Sequence, residues 1–269
     1  MSEKDPFKVE QDEHIALLTL NQPDTRNIMG SPFFEELTKH FERFDKDSSV
    51  RAVVIKAEGK SFTAGLDLME FGSLLRGGTR ADVREELQKT ILKCQEGMNA
   101  IERCRKPVLA AVHSHGIGGG VDLLCACDIR IATRDAVFGI RETRMAMIAD
   151  LGTLQRLPHI IRHGWFRELA LTGRDFTAQE ALQMGFITGI CEDRQRLYEE
   201  AKGIASQIAA CPSLAVQGTK EVILYSRDHG VSAGLHYAGQ KNAAGLPSED
   251  LVEAMSAFME KRTPVFKGK

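Results

Sequence analysis

AAVHSHGIGGGVDLLCACDIRIATRDAVFGIRETRMAMIADLGTLQRLP, residues Ala110 to Pro158, is the stretch that decides how this chain is read. An apolar run from Val108 to Val112 ends in the glycine-rich segment Gly116-Ile117-Gly118-Gly119-Gly120. Val121, Leu123, Leu124 and Ala126 then supply apolar positions at mixed helical spacing, so the predicted order is strand, glycine turn, helix. Glycine lets backbone approach a ligand closely. The first amides of a helix have no intrahelical acceptor and favour negative charge. Three carboxylates follow the turn: Asp122, Glu142 and Asp150.

Two rival uses of such a turn fail on spacing. A dinucleotide fingerprint needs a third glycine where this chain has Val121, and a phosphate-gripping loop needs a Gly-Lys-Ser/Thr run that is absent. What remains for the free amides is an anion that develops during reaction, held in an oxyanion hole. Read alone, the glycines serve tight helix–strand packing as well as they serve catalysis.

Working outward, 269 residues with 43% hydrophobic content suffice for a sizeable core. A formal net charge of -2 leaves no basic footprint for nucleic acid. The polar start MSEKDPFKVEQDEH has no signal-peptide core, and no apolar run reaches membrane-spanning length. The six cysteines contain no Cys-x-x-Cys pair, so reduced thiols are expected. The ending Val265-Phe266-Lys267-Gly268-Lys269 is not a peroxisomal Ser-Lys-Leu address, and a cytoplasmic location is expected.

Lys8–Glu10 and Ile15–Leu20 read as a hairpin around Gln11-Asp12-Glu13. Ser31-Pro32 reads as a helix start with Ser31 as N-cap, and Phe33, Phe34, Leu37, Phe41 and Phe44 form its apolar stripe. Val50–Ala57 is a buried strand, followed by a second glycine-containing turn from Gly59 to Asp67. Leu68–Arg105 reads as helix broken at Gly77-Gly78. Ile129–Ala132, Val137–Gly139 and Ile187–Ile190 continue a strand–strand–helix alternation to about residue 190. From Arg194 strand signals vanish and four helices are predicted. The chain thus divides into a core, 1–193, and a docked helical region, 194–269.

Gly118-Gly119-Gly120-x-Asp122, with Ala64-Gly65-Leu66-Asp67 upstream and LGTLQRLP downstream, resembles the crotonase (enoyl-CoA hydratase/isomerase) superfamily. The resemblance runs from the NQPDTRN loop to the closing FMEKR and is greatest to the Δ3,5-Δ2,4-dienoyl-CoA isomerases. It implies an α/β spiral of repeated ββα turns, a C-terminal helical trimerisation region, and a trimer or dimer of trimers. It implies an acyl-CoA thioester substrate, with no cofactor, metal, nucleic acid or membrane partner. The family's two oxyanion amides fall on Leu66 and Gly119. For coenzyme A it points to Arg26, to Thr63, Ala64, Gly65 and Leu66, to Gly119 and Gly120, and to Phe258 and Lys261 reaching a neighbouring subunit's ligand.

The acids sort the subfamilies. Hydratases carry glutamates at the positions of Asp122 and Glu142 and a glycine at that of Asp150, whereas dienoyl isomerases carry the triad found here. Moving a 3,5-diene into 2,4 conjugation takes a proton from C2 and returns one at C6, a span too long for one carboxylate. The resemblance favours Glu142 as the C2 base and Asp150 as the C6 acid, with the reverse order open. Asp122 then tunes both through charge. Against this stand plain alternatives: Asp122 as a first-turn acid complementing a helix dipole, and Asp150 as a helix N-cap. The rival activities are a 2-enoyl-CoA hydratase and, more remotely, a crotonase-like RNA-binding protein. His113-Ser114-His115, His159 with His163, and Cys125 with Cys127 are better read as packing groups than as metal ligands.

Overall fold

The computed structural model describes residues 5–74 and 80–269. Strands β1 (Phe7–Asp12) and β2 (Ile15–Leu20) form the expected antiparallel hairpin. Its turn is shorter than predicted: Gln11 and Asp12 belong to β1, and Glu13 turns the chain at a φ of 50°. To β2 are added, all in parallel, β3 (Ala52–Ala57), β4 (Val108–Val112), β6 (Ile129–Thr133) and β9 (Gly189–Cys191), giving the order β1-β2-β3-β4-β6-β9. A smaller sheet holds β5 (His115–Ile117), β7 (Val137–Gly139) and β8 (Asp175–Thr177).

Successive turns of chain, β4 then β5 and β6 then β7, each give one strand to the large sheet and one to the small. Single bridges Met29–Leu66 and Thr63–Gly116 carry the small sheet's ladder back through the earlier turns. This is the expected spiral. The glycine segment, however, is not one turn: Gly116 lies in β5 opposite Phe138, and only Gly118, at a φ of 53°, reverses the chain.

Helix α1 (Ser31–Lys46) buries Phe33, Phe34, Leu37, Phe41 and Phe44 as the stripe predicts. Its N-cap is Gly30, not Ser31, and no side chain of its own caps it. The Glu70 carboxylate of α2 (Leu68–Leu74) instead accepts from the Ser31 amide at 3.1 Å and from its hydroxyl, a long-range cap that local sequence does not reveal. The predicted break at Gly77-Gly78 lies outside the described residues. Beyond it α3 (Ala81–Arg103) packs on α1.

The large sheet separates two apolar layers by strand alternation. Val53, Ile55, Ala110 and Val112 face the layer of α1, α3 and α4 (Gly119–Ala126). Ala52, Val54, Leu109 and Ala111 face α8 (Arg194–Ala209). Leu197, Ala201, Ala205 and Ala209 recur every fourth residue on α8, so a stripe of mostly small side chains lets that helix lie close to the sheet. Residue 194 therefore marks a change of sequence pattern, while α8 shares its core with the strands.

Short helices α5 (Thr153–Arg156), α6 (His163–Thr172) and α7 (Ala178–Met184) complete the core. The chain ends in α9 (Ser213–His229), α10 (Val231–Gly245) and α11 (Glu249–Glu260). Val252, Met255, Phe258 and Met259 of α11 are exposed. Among the described residues no helix is long and apolar enough to cross a membrane. Cys94, Cys104, Cys125 and Cys127 are buried thiols, and Cys211 is exposed.

Candidate active site

The two glycine-bearing turns meet. In the bridge between Met29 and Leu66, Met29 donates to the Gly65 carbonyl at 2.9 Å and accepts from Asp67 N at 3.0 Å. A parallel bridge of this kind turns the amide of Leu66 itself to the opposite side, where among the described residues it has no acceptor. Gly119 opens α4, so its amide likewise lies outside the helical ladder and has no protein acceptor among those residues. A Cβ on Gly65 would lie 2.7 Å from the Ile117 carbonyl and 3.5 Å from the Gly119 nitrogen. Glycine is needed there both for its φ of 89° and for this approach. Two unengaged N–H donors therefore stand side by side on separate turns.

Asn27 and Thr63 brace the first turn. The Asn27 amide donates to the carbonyls of Glu58 at 2.8 Å and Ser61 at 3.0 Å, while the Thr63 hydroxyl donates to Asn27 O at 2.6 Å. Thr63 is fully buried, so in the Thr63–Leu66 segment the surface open to a ligand falls to exposed Ala64 and half-buried Leu66. Gly120 is buried as well, and a Cβ there would come within 2.5 Å of Thr63 Cγ2. The Arg26 side chain is exposed, and its carbonyl accepts from Ala64 N at 3.0 Å. A cleft of about 470 Å³ borders this loop, lined by Gln22, Thr25, Ile28, Gly30, Asp67 and Glu70, and includes none of the three acids.

The acids gather beside the second of these turns. Glu142 begins a 3-10 turn after β7, and its Oε1 lies 3.2 Å from where a Cβ on Gly118 would sit. Glu142 is only 8% exposed, and among the described residues its Oε2 has no hydrogen-bond partner. Burial first, then the like charges of Asp122 and Asp150, push Glu142 up to about 7. Asp122, in the first turn of α4, is 1% exposed and accepts from Thr153 N at 2.7 Å. Burial raises it to about 6 against the hydrogen bonds from Thr153, with Asp150 adding to the rise and Arg156 opposing it. Asp150 is half-buried and is also raised, by burial. Its backbone carbonyl accepts from Gln95 Nε2 of α3 at 2.7 Å. The cap of α5 is Gly152, so Asp150 is not the N-cap that one reading assigned to it. Asp122 does occupy a first turn, but buried and bonded to another helix it is no ordinary solvated dipole partner.

The structure thus brings Leu66, Gly119, Asp122, Glu142 and Asp150 into one neighbourhood. Phe258 and Lys261 are elsewhere, at the exposed end of α11, and among the described residues no hydrogen bond, ion pair or ring contact links them to it. Of the histidine motifs, His113 and His115 are engaged within the protein. Buried His113 donates through Nε2 to the Gly59 carbonyl at 3.2 Å, and His115 pairs with the Ser114 hydroxyl at 2.7 Å. The one group with metal-ligand spacing among the described residues is Asp5, Glu36 and His40, which includes none of the three acids. Sequence reasoning missed Thr153, Gln95 and Asn27. Their contacts join distant segments, and only the Asn27 position, beside a predicted turn, offered a local signal.

The sequence model of the enoyl-CoA hydratase/isomerase family matches residues 10–269. The mitochondrial Delta(3,5)-Delta(2,4)-dienoyl-CoA isomerase of Mus musculus is 41% identical over 254 residues, 93% of this chain and 78% of that protein. The peroxisomal protein of that name from Arabidopsis thaliana is 41% identical over 259 residues, 95% of this chain and 93% of its own. The crystal structure of enoyl-CoA hydratase from Bacillus anthracis superposes with a TM-score of 0.90 at 32% identity, covering 98% of this chain and 100% of that one. The chain is a member of the enoyl-CoA hydratase/isomerase family.

Proposed function

We propose that the protein converts 3,5-dienoyl-CoA esters to 2,4-dienoyl-CoA esters by a 1,5 proton shift. The observation that carries this reading is the third carboxylate: half-buried Asp150 precedes by three residues Thr153, whose N–H binds Asp122 Oδ1, and its charge adds to the rise of Asp122 and Glu142. The thioester oxygen accepts from the amides of Leu66 and Gly119, which stabilise the dienolate as charge moves onto it. Glu142 abstracts the C2 proton. Its contact with Gly118, one residue before the Gly119 amide, supports this choice, since C2 is bonded to the thioester carbon. A carboxyl titrating near 7 is well matched to accept a proton at neutral pH. Asp150, whose burial favours the protonated form, delivers a proton at C6. The double bonds then move from C3=C4 and C5=C6 to C2=C3 and C4=C5. Asp122 holds the turn and sets the charge around both.

Coenzyme A belongs to the substrate in this reading, and the chemistry calls for no metal or further cofactor. We also propose a homotrimer or a dimer of trimers, resting on the exposed apolar residues of α11. The second reading is 2-enoyl-CoA hydration, favoured by the fold match to a hydratase. The assay that separates them is ultraviolet absorbance. Appearance of a conjugated dienoyl thioester from 3,5-dienoyl-CoA supports the isomerase, and loss of 2-enoyl-CoA absorbance without that activity supports the hydratase.

A further inference from the structure

Helix α9 is pinned to the core by two cations seven residues apart, on one helix face. Lys220, 7% exposed, binds Asp128 Oδ2 at 2.7 Å and the Lys106 carbonyl at 3.2 Å. Arg227 binds Glu102 near the end of α3 through Nη1 and Nη2, while its Nε binds the neighbouring Asp228 at 2.7 Å. The second pin does not stop there. Glu102 also takes Arg156 Nη2 at 3.2 Å and lies 3.1 Å from its Nε, while Asn99 Oδ1 takes Nη2 at 2.7 Å. The Arg156 side chain curls back onto Gly152, where any Cβ would overlap Nη1. Gly152 sits between Asp150 and Thr153, the residue bonded to Asp122.

All three charged groups are largely covered, with side-chain exposures of 24% for Arg227, 19% for Glu102 and 10% for Arg156. Burial pushes Glu102 up, but the hydrogen bonds from Arg227 and Arg156 prevail and hold it below the usual carboxylate range. Glu102 therefore stays charged, and a buried charge so placed keeps its partners where they are. Without Arg227, Glu102 loses one of its two cations and the tie between α9 and Arg156 is gone.

We infer that Glu102 and Arg156 are positioning residues through which Arg227 of α9 fixes the Asp150–Thr153 turn, so that docking of α9 sets the placement of the acids. This rests on the isomerase reading for its kinetic consequence, but not for its structural one. Among the described residues, the charged and titratable groups facing Asp122 are Asp150, Glu142, Arg156 and Cys125. Of these only Arg156 is a cation, and release of its guanidinium removes the charge that opposes the rise of Asp122.

The test compares Arg227→Met, Arg227→Lys and Lys220→Met in the full-length protein. Two readouts are taken: steady-state isomerisation, and the Asp122 titration followed by carbon-13 NMR of the labelled carboxyl. Arg227→Met is expected to lower kcat by about tenfold with little change in KM, since small misplacements of reacting groups are costly. It is expected to move the Asp122 titration to higher pH, with Arg227→Lys restoring most of both. Lys220→Met, which breaks the pin that does not lead to the acids, is expected to lower the melting temperature and leave both readouts in place. Glu102→Gln gives the Arg227→Met pattern and substitutes for it if that variant does not fold. An unchanged kcat and titration in Arg227→Met, or the same changes in Lys220→Met, overturns the inference. If the unaltered protein fails to isomerise, the isomerase reading falls and the Asp122 titration alone decides this one.

Discussion

Asp122 Oδ1 accepts the backbone N–H of Thr153 at 2.7 Å in a position 1% exposed, tying the first turn of α4 to the first turn of α5. One carboxylate therefore does two things: it joins the glycine turn to the Asp150 turn, and it places negative charge beside Glu142. Asp122→Asn separates the two, because the amide oxygen still accepts from Thr153 while the charge is gone. Its expected effect is a shift of the acidic limb of the kcat profile to lower pH, since loss of a like charge lets Glu142 ionise more easily. Asp122→Ala removes the acceptor as well and is expected to lower kcat further. A pH profile for Asp122→Asn that coincides with the unaltered protein's contradicts the coupling.

Glu142 makes a prediction about stability. Its pKa rises from the ordinary 4.5 in the unfolded chain to about 7 in the folded one. A carboxyl raised on folding binds more protons folded than unfolded, so stability falls as pH climbs from about 4.5 to about 7. The full shift corresponds to roughly 3 kcal/mol. Glu142→Gln removes the burdened charge and is expected to be more stable than the unaltered protein at pH 8, with no such gain at pH 4. Urea unfolding at the two pH values checks this. Equal differences at both exclude a raised Glu142.

Gly118 reverses the chain at a φ of 53° and aims the Gly119 amide, with Glu142 Oε1 standing 3.2 Å from its missing Cβ. Gly118→Ala places a side chain in a backbone region unfavourable for it and crowds the acid. Misaiming one oxyanion donor is expected to slow turnover by about 10²–10³-fold. Isomerisation rates at saturating substrate test it. A loss of less than tenfold shows that the amide is not a donor to the transition state.

How much of this was legible beforehand follows the range of each interaction. The strands of the large sheet, the phenylalanine stripe of α1 and the C-terminal helices were readable because their signals are periodic and local. The site residues on the glycine turns and the three acids came from motif and resemblance. Glu70 capping α1, Gln95 holding the Asp150 carbonyl, and the Arg227–Glu102–Arg156 chain were not readable, since each joins segments far apart in sequence. Strand β5 was missed because three residues within a glycine-rich run carry no strand pattern, and only pairing with β7 makes it one. Side-chain burial also redistributed roles: Thr63 read as a ligand contact, yet its hydroxyl is used within the protein.

The exposed face of α11, with Val252 65%, Met255 64%, Phe258 83% and Met259 79% exposed, predicts self-association. Light scattering at micromolar concentration is expected to give a multiple of three chains, and Phe258→Asp combined with Met255→Lys is expected to lower that mass. A monodisperse monomer in the unaltered protein contradicts the proposed assembly and removes Phe258 and Lys261 as contacts to a neighbouring ligand.

The central claim is that two different acids serve the two ends of the dienolate. Exchange at C2 needs Glu142 and the oxyanion amides, whereas formation of the conjugated product also needs Asp150. The direct measurement is therefore made on Asp150→Asn with 3,5-dienoyl-CoA in deuterated water, following both deuterium uptake at C2 and ultraviolet absorbance of the 2,4-diene. The account predicts that uptake at C2 continues while product formation falls by at least the roughly 10²-fold expected of a lost general acid. Conjugated product forming at a near-normal rate, or C2 exchange and product formation failing together, contradicts it.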